Sequence, residues 1–201
     1  MNPHLIISPY VYLDFAIDTN RINARLKDAE MNQLEKWQKA GVIQIEIPQA
    51  AAEECGRGHG GKERAQKASD YVVSLTAVDK DPELQKIFPD WGNDQHMQDL
   101  YSKIETILFP SGAKTDNERN DVRVVLGAAY YDCILITNDG DSKAQPGGIL
   151  GRRQELAKIN VTVMRADEAV QKVREKIMLR DAQILQASGF GAQIPEWYGK
   201  D

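Results

Sequence analysis

Four short runs rich in branched and aromatic residues alternate along the chain with amphipathic stretches. They are Tyr10–Ile17, Val42–Ile47, Cys133–Thr137 and Val161–Met164. The second alternates Ile with Gln and Glu until Pro48 ends it, and the third is a continuous apolar run bounded by Asn138-Asp139-Gly140. Apolar strands separated by helical stretches belong to a parallel sheet covered on both faces, so the pattern predicts an α/β fold.

Helical periodicity fills the gaps. Asn20–Ala40 carries Ile22, Leu26, Leu34 and Trp37 on a polar background, which predicts one or two amphipathic helices closed by Gly41. Thr115 and Glu118 stand at capping-box spacing ahead of Val122, Val125, Leu126, Ala128 and Ala129, a helix leading straight into the third strand. Residues 62–109 read as a long, mostly helical insert broken by Pro82, Pro89 and Gly92, with a short strand at Thr106–Phe109. Ala166–Gln186 reads as a last helix followed by a Gly-rich tail. The expected organisation is a domain over residues 1–165 that contains the insert, with residues 166–201 packed on it or extending from it.

Composition narrows the class. The chain has 201 residues, 42% hydrophobic and 27% charged, which suits one packed domain and is too short for two ordinary catalytic ones. No apolar run is long enough to span a bilayer, and the first residues lack the features of a secretory leader, so a cytoplasmic protein is expected. Cys55 and Cys133 belong to no CxxC pair or zinc-type spacing and read as buried apolar residues. A net charge of −5 argues against coating nucleic acid through bulk charge, while leaving room for a local basic groove. Arg152–Arg180, with eight basic and four acidic residues, is either such a surface or a solvated helix face.

Ligands of an open parallel sheet bind at the carboxyl ends of its strands, where loops and helix N-termini converge. The first strand ends in Asp18-Thr19-Asn20, and the second leads within a turn or two to Glu53-Glu54. The third ends in Thr137-Asn138-Asp139-Gly140-Asp141, and the helix feeding it starts with Asn120-Asp121. Each segment brings a carboxylate to the same edge. Carboxylates gathered there repel one another unless a cation neutralises them, and hard oxygen donors without His or Cys favour Mg²⁺ or Mn²⁺. Such an ion suits phosphodiester hydrolysis, so the pattern points to a metal-dependent nuclease or phosphatase.

These residues resemble the PIN-domain ribonucleases. The resemblance covers roughly residues 10 to 60 and 110 to 165. It is most specific from Asp121 to Thr137-Asn138-Asp139-Gly140-Asp141, where Thr137 follows Asp121 by 16 residues and Asp139 by 18. It implies a three-layer α/β/α fold with a central parallel sheet and metal-dependent endoribonuclease activity. Asp18, Glu54, Asp121 and Asp139 would be the catalytic metal ligands, assisted by Asp141. Products would carry 5′-phosphate and 3′-hydroxyl ends. Asp14 competes with Asp18 but lacks the following Thr and lies within the strand. Glu53 competes with Glu54, whose continuation Cys55-Gly56-Arg57-Gly58 fits the family order. Many family members are toxins neutralised by an antitoxin protein, and homodimers are common among them. The insert and the acidic balance depart from minimal members and bear on the substrate.

Other candidates carry less. Asn20 and Thr137 are candidate substrate contacts that could equally cap a helix or orient a carboxylate. Arg57 and Lys62, with Arg64 and Lys67, could approach an RNA backbone, and His59 reads as a surface residue. Gly56–Lys62 fits a P-loop spacing, but Glu63 stands where Ser or Thr is required and no strand precedes it. An EF-hand fails because Leu150 occupies the position of the final Glu. A dehalogenase-type phosphatase fits poorly, since Asp14 and Asp18 are four apart instead of two. Trp91, Trp197 and Tyr198 could stack on bases or simply pack. The competing function is a catalytically quiet PIN-like module that binds RNA or protein.

Overall fold

The computed structural model describes residues 8–24, 27–55, 61–69, 71–74, 95–140 and 147–201. Five parallel strands form one sheet: β1 (Asp14–Ile17), β2 (Gln44–Pro48), β3 (Val72–Ser74), β4 (Ile134–Ile136) and β5 (Val163–Met164). Their order is β3-β2-β1-β4-β5, so β1 is central and the chain reverses its direction of travel across the sheet between β1 and β4. Phe15 pairs with Ile45 on one side and Ile134 on the other. Phe15, Ile17, Ile45, Ile47 and Leu135 are buried on both faces of this sheet, which gives the strands their unbroken apolar character.

Helices cover the sheet: α1 (Thr19–Ala24), α2 (Ala29–Lys39), α3 (Gln49–Cys55), α4 (Gly61–Ala68), α5 (Gln95–Leu108), α6 (Asp116–Tyr130), α7 (Gly148–Gly151), α8 (Arg153–Ala157) and α9 (Ala166–Ser188). This is the expected three-layer α/β/α arrangement. The Thr115–Glu118 capping box is present at the start of α6. Gly41, at φ +71°, follows the end of α2 in the left-handed conformation that its place requires. The C-terminal helix α9 packs on α2 and buries Ala169, Val170 and Val173, and Arg180 donates to the Pro9 carbonyl. Both cysteines are buried thiols.

The structure corrects four local readings. Thr106–Phe109 is no strand: Thr106–Leu108 completes α5, whose buried Met97, Ile104 and Leu108 recur at helical intervals. The insert instead contributes β3, three residues at the sheet edge with Val72 exposed, too short for a period-two pattern to register. The first strand begins at Asp14, because Tyr12 takes a positive φ of 57° that breaks the ladder. The second strand begins at Gln44, not Val42, and ends in Pro48 as expected, since a strand terminus tolerates the missing N–H. Pro82, Pro89 and Gly92 lie outside the described residues.

Candidate active site

β1 and β4 lie side by side where the strand order reverses, and such a crevice is where open α/β sheets bind ligands. Asp18 follows β1 immediately and extends the sheet, its N–H donating to the Ile136 carbonyl at 3.1 Å. Its carboxylate is buried and receives the Thr19 N–H at 2.6 Å, the Thr137 hydroxyl at 2.7 Å and the Asn20 amide. Asp14 opens the strand instead, at the opposite end of the sheet, where the Tyr10 hydroxyl donates to it.

Glu54 projects from α3, the helix that directly follows β2, and accepts from the Thr19 hydroxyl at 2.9 Å. Its neighbour Glu53 faces elsewhere, held by Gln49 at 3.0 Å and Arg123 at 3.6 Å. One step along a helix rotates the side chain by about 100°, and that rotation separates the two glutamates. Asp121 lies six residues into α6, in its second turn, not at the helix start expected from the sequence. Among the described residues, Asp18, Glu54 and Asp121 form no ion pair with Lys or Arg.

Asp139 is held by the turn after β4. Its N–H donates to the Thr137 hydroxyl at 3.0 Å, its carboxylate accepts from the Ile149 N–H at 2.9 Å, and its carbonyl accepts from Leu150 at 2.8 Å. Two glycines let the chain close around it. A Cβ on Gly140 would lie 1.8 Å from the Gly147 carbonyl oxygen, and one on Gly148 would lie 2.5 Å from Asp139 Oδ2. Both adopt positive φ, at +89° and +74°. Gly148→Ala is therefore expected to cost about 1–3 kcal/mol and to displace the Asp139 carboxylate. Urea denaturation checks the first effect, and unchanged stability would contradict this account of the turn.

The electrostatics tie these groups together. Burial raises the Asp18 pKa to about 6, and the Glu54 and Asp139 charges add to it against the opposing hydrogen bonds from Thr137 and Thr19. Burial likewise raises Asp121 to about 8, helped by Asp139, Asp18 and Glu54. Four carboxylates from separate segments thus act on one another at the carboxyl edge. They nevertheless stand apart: among the described residues no group of three or more His, Cys, Asp or Glu side chains is already disposed as a metal cage. The donor chemistry suits a hard divalent cation, while the spacing is that of a mutually repelling set.

No protein-family model matches the sequence, and neither does any of the curated proteins compared with it. Solved structures do. The crystal structure of VapBC2 from Rickettsia felis, bound to a DNA fragment from its promoter, aligns at 13% identity and a TM-score of 0.44, covering 76% of this chain and 98% of that one. The structure of FitAB bound to the IR36 DNA fragment aligns at 13% identity and a TM-score of 0.41, covering 76% and 94%. The parallel sheet clothed by helices on both faces is the architecture expected from the motifs.

The remaining candidates are placed as follows. Thr137 is fully buried, and its hydroxyl donates to Asp18 and accepts from the Asp139 N–H and from Asn20. Asn20 is likewise occupied within the protein, by Asp18, Thr137, Arg21 and the Asn138 N–H. Lys62 is exposed on α4, which packs on the helices carrying Thr19 and Glu54. Arg57, His59, Trp91 and Asp141 lie outside the described residues. Trp197 packs beneath the Arg180 guanidinium, 4.5 Å from it. Arg153, Arg165 and Arg180 of the basic segment pair with carboxylates. Sequence reasoning passed over Arg21 and Asp28, a partly buried pair at 2.7 Å beside the site, because two residues seven apart across a helix boundary form no recognisable motif.

Proposed function

We propose that the protein is a metal-dependent endoribonuclease that hydrolyses RNA phosphodiester bonds. The observation that carries this reading is the electrostatic coupling of Asp18, Glu54, Asp121 and Asp139 at the strand-order reversal. A fold gains no stability from driving two carboxylate pKa values upward, so a site that does so is a functional candidate. Those four residues would hold Mg²⁺ or Mn²⁺, with Asp141 assisting. The bound ion would polarise a phosphoryl oxygen and acidify a water. The chain's own contribution is positioning: Thr137 and the Thr19 N–H orient Asp18, Thr19 orients Glu54, and the glycine turn aims Asp139. Lys62 and Arg57 are proposed to meet the RNA backbone. The biological role that follows from the family resemblance is the toxin of a toxin–antitoxin pair, with an antitoxin protein as partner and homodimerisation as its assembly.

A second reading, a quiet PIN-like module that binds RNA or protein, is favoured by the absence of a ready-made three-donor group among the described residues. Calorimetric titration with Mn²⁺ separates the two. The nuclease reading expects heat of binding and a rise in melting temperature that grows with the metal concentration above the Kd. Neither heat nor a melting shift, together with no cleavage of RNA, would leave the quiet module.

A further inference from the structure

We infer that Arg21 is a positioning residue that locks the Asn20 amide and, through it, the Asp18 carboxylate and the backbone leading to Asp139. This deepens the acidic-site reading above and rests on it for its functional meaning.

The first turn of α1 distributes its side chains to three different elements. Thr19 reaches Glu54 on α3, Asn20 reaches the end of β4, and Arg21 turns toward the start of α2. The Asn20 amide makes four hydrogen bonds. Its Oδ1 accepts from Arg21 Nε at 3.0 Å and from the Asn138 N–H at 3.1 Å. Its Nδ2 donates to Asp18 and to the Thr137 hydroxyl, the latter at 3.1 Å. An amide oxygen only accepts and an amide nitrogen only donates, so a flipped Asn20 would set its NH₂ against two donors and its oxygen against a carboxylate. Arg21 enforces the working orientation, because a guanidinium does not give up its proton in proteins.

Arg21 is itself anchored. It is 8% exposed, and its Nη1 donates to Asp28 Oδ2 at 2.7 Å. The other oxygen of Asp28 accepts from the Glu30 and Met31 N–H groups, both at 3.1 Å, and so caps α2. Both carboxylate oxygens are therefore committed to fixed groups, and the line from the α2 N-terminus through Asp28, Arg21 and Asn20 to Asp18 is continuous. Two of its guanidinium nitrogens, Nε and Nη1, are thus directed inward, to Asn20 and Asp28.

A partly buried ion pair adds little net stability over a well-packed neutral replacement, so the pair can be exchanged without collapsing the fold. In Arg21→Met/Asp28→Asn, Asn retains the capping role and no charge is left unpaired. The expected result is hydrogen exchange at the Asn138 amide faster by about tenfold, with the melting temperature close to that of the parent. Mn²⁺ affinity and the kcat for RNA cleavage should each fall by about tenfold, while the KM for RNA stays within about twofold. Arg21→Lys, which keeps the charge opposite Asp28 and loses the Nε donor, should show the same loss of protection at Asn138. Unchanged Asn138 exchange in both variants would overturn the inference, as would a fall in melting temperature with kcat per folded molecule intact. If the parent protein neither binds Mn²⁺ nor cleaves RNA, the nuclease reading fails, and Asn138 exchange still decides the role of Arg21.

Discussion

Asp121→Asn should abolish metal-dependent RNA cleavage and, at the same time, make the metal-free protein harder to unfold at pH 8. The two effects have one cause. The Asp121 carboxyl, ordinarily half-ionised near 3.8, is raised to about 8 by burial and by Asp139, Asp18 and Glu54. Between those two pH values the folded protein keeps a proton at Asp121 that the unfolded chain has released. Stability contributed by that proton is complete below the unfolded pKa and drains away as pH rises through about 8. Asp18, raised to about 6, adds a second loss in the same direction over a narrower window. Metal-free parent protein should therefore melt at a higher temperature near pH 5 than near pH 8. Asn cannot ionise, so the variant should lack most of that slope and gain roughly 5 °C or more at pH 8. If Asp121 is a metal ligand as proposed, its loss should reduce cleavage by more than about a hundredfold, since even groups that only orient such ligands are worth ten- to a hundredfold. Thermal melts at several pH values in the presence of a chelator, and cleavage assays with added Mn²⁺, check the two halves. A variant that cleaves like its parent would sink the nuclease reading. A variant that melts lower at pH 8 would show that Asp121 is not in conflict with its neighbours.

The second large effect concerns a residue that carries no charge. Thr137→Val preserves the branching at Cβ and deletes one hydroxyl, yet that hydroxyl donates to Asp18 and accepts from the Asp139 N–H and from Asn20. All of this lies at a position with no solvent exposure, so water cannot replace the lost partner. Leaving buried polar groups unsatisfied should cost about 3 kcal/mol. Because the Thr137 hydrogen bond holds the Asp18 pKa down, its removal should also push Asp18 further toward the neutral form. Thr137→Ser, which keeps the hydroxyl, should recover most of the stability. Denaturant unfolding of the two variants side by side checks this, and equal stabilities would remove the hydroxyl from the account.

Features that depend on near neighbours along the chain were legible before any coordinates. The unit from Asp121 through α6 and β4 to Asp139 was readable because the helix and the strand it feeds are contiguous, and the Thr115–Glu118 box marks where that helix begins. The α/β class followed from apolar runs that are buried on both faces. The short strand β3 escaped because three residues at an edge leave no periodic signature. The helical identity of Thr106–Leu108 escaped because Thr, Ile and Leu in succession favour a strand until Met97 and Ile104 are seen on the same helical face.

Chain-local chemistry thus specified the helices, most strands and the acidic character of their carboxyl edge, since capping, periodicity and strand termination act over a few residues. The sequence favoured Asp18 over Asp14 and Glu54 over Glu53 by the residues that follow them, but that Asp18 lies beside the end of β4 and that Glu54 meets Thr19 while Glu53 turns to Arg123 is set by tertiary packing. The internal hydrogen bonds of Asn20 and Thr137, and the anchoring of Arg21 by Asp28, depend on contacts across elements distant in sequence or separated by a turn. Such contacts arise only when packing brings the ends of several elements together, and the upward pKa shifts of Asp18 and Asp121 arise from that same convergence.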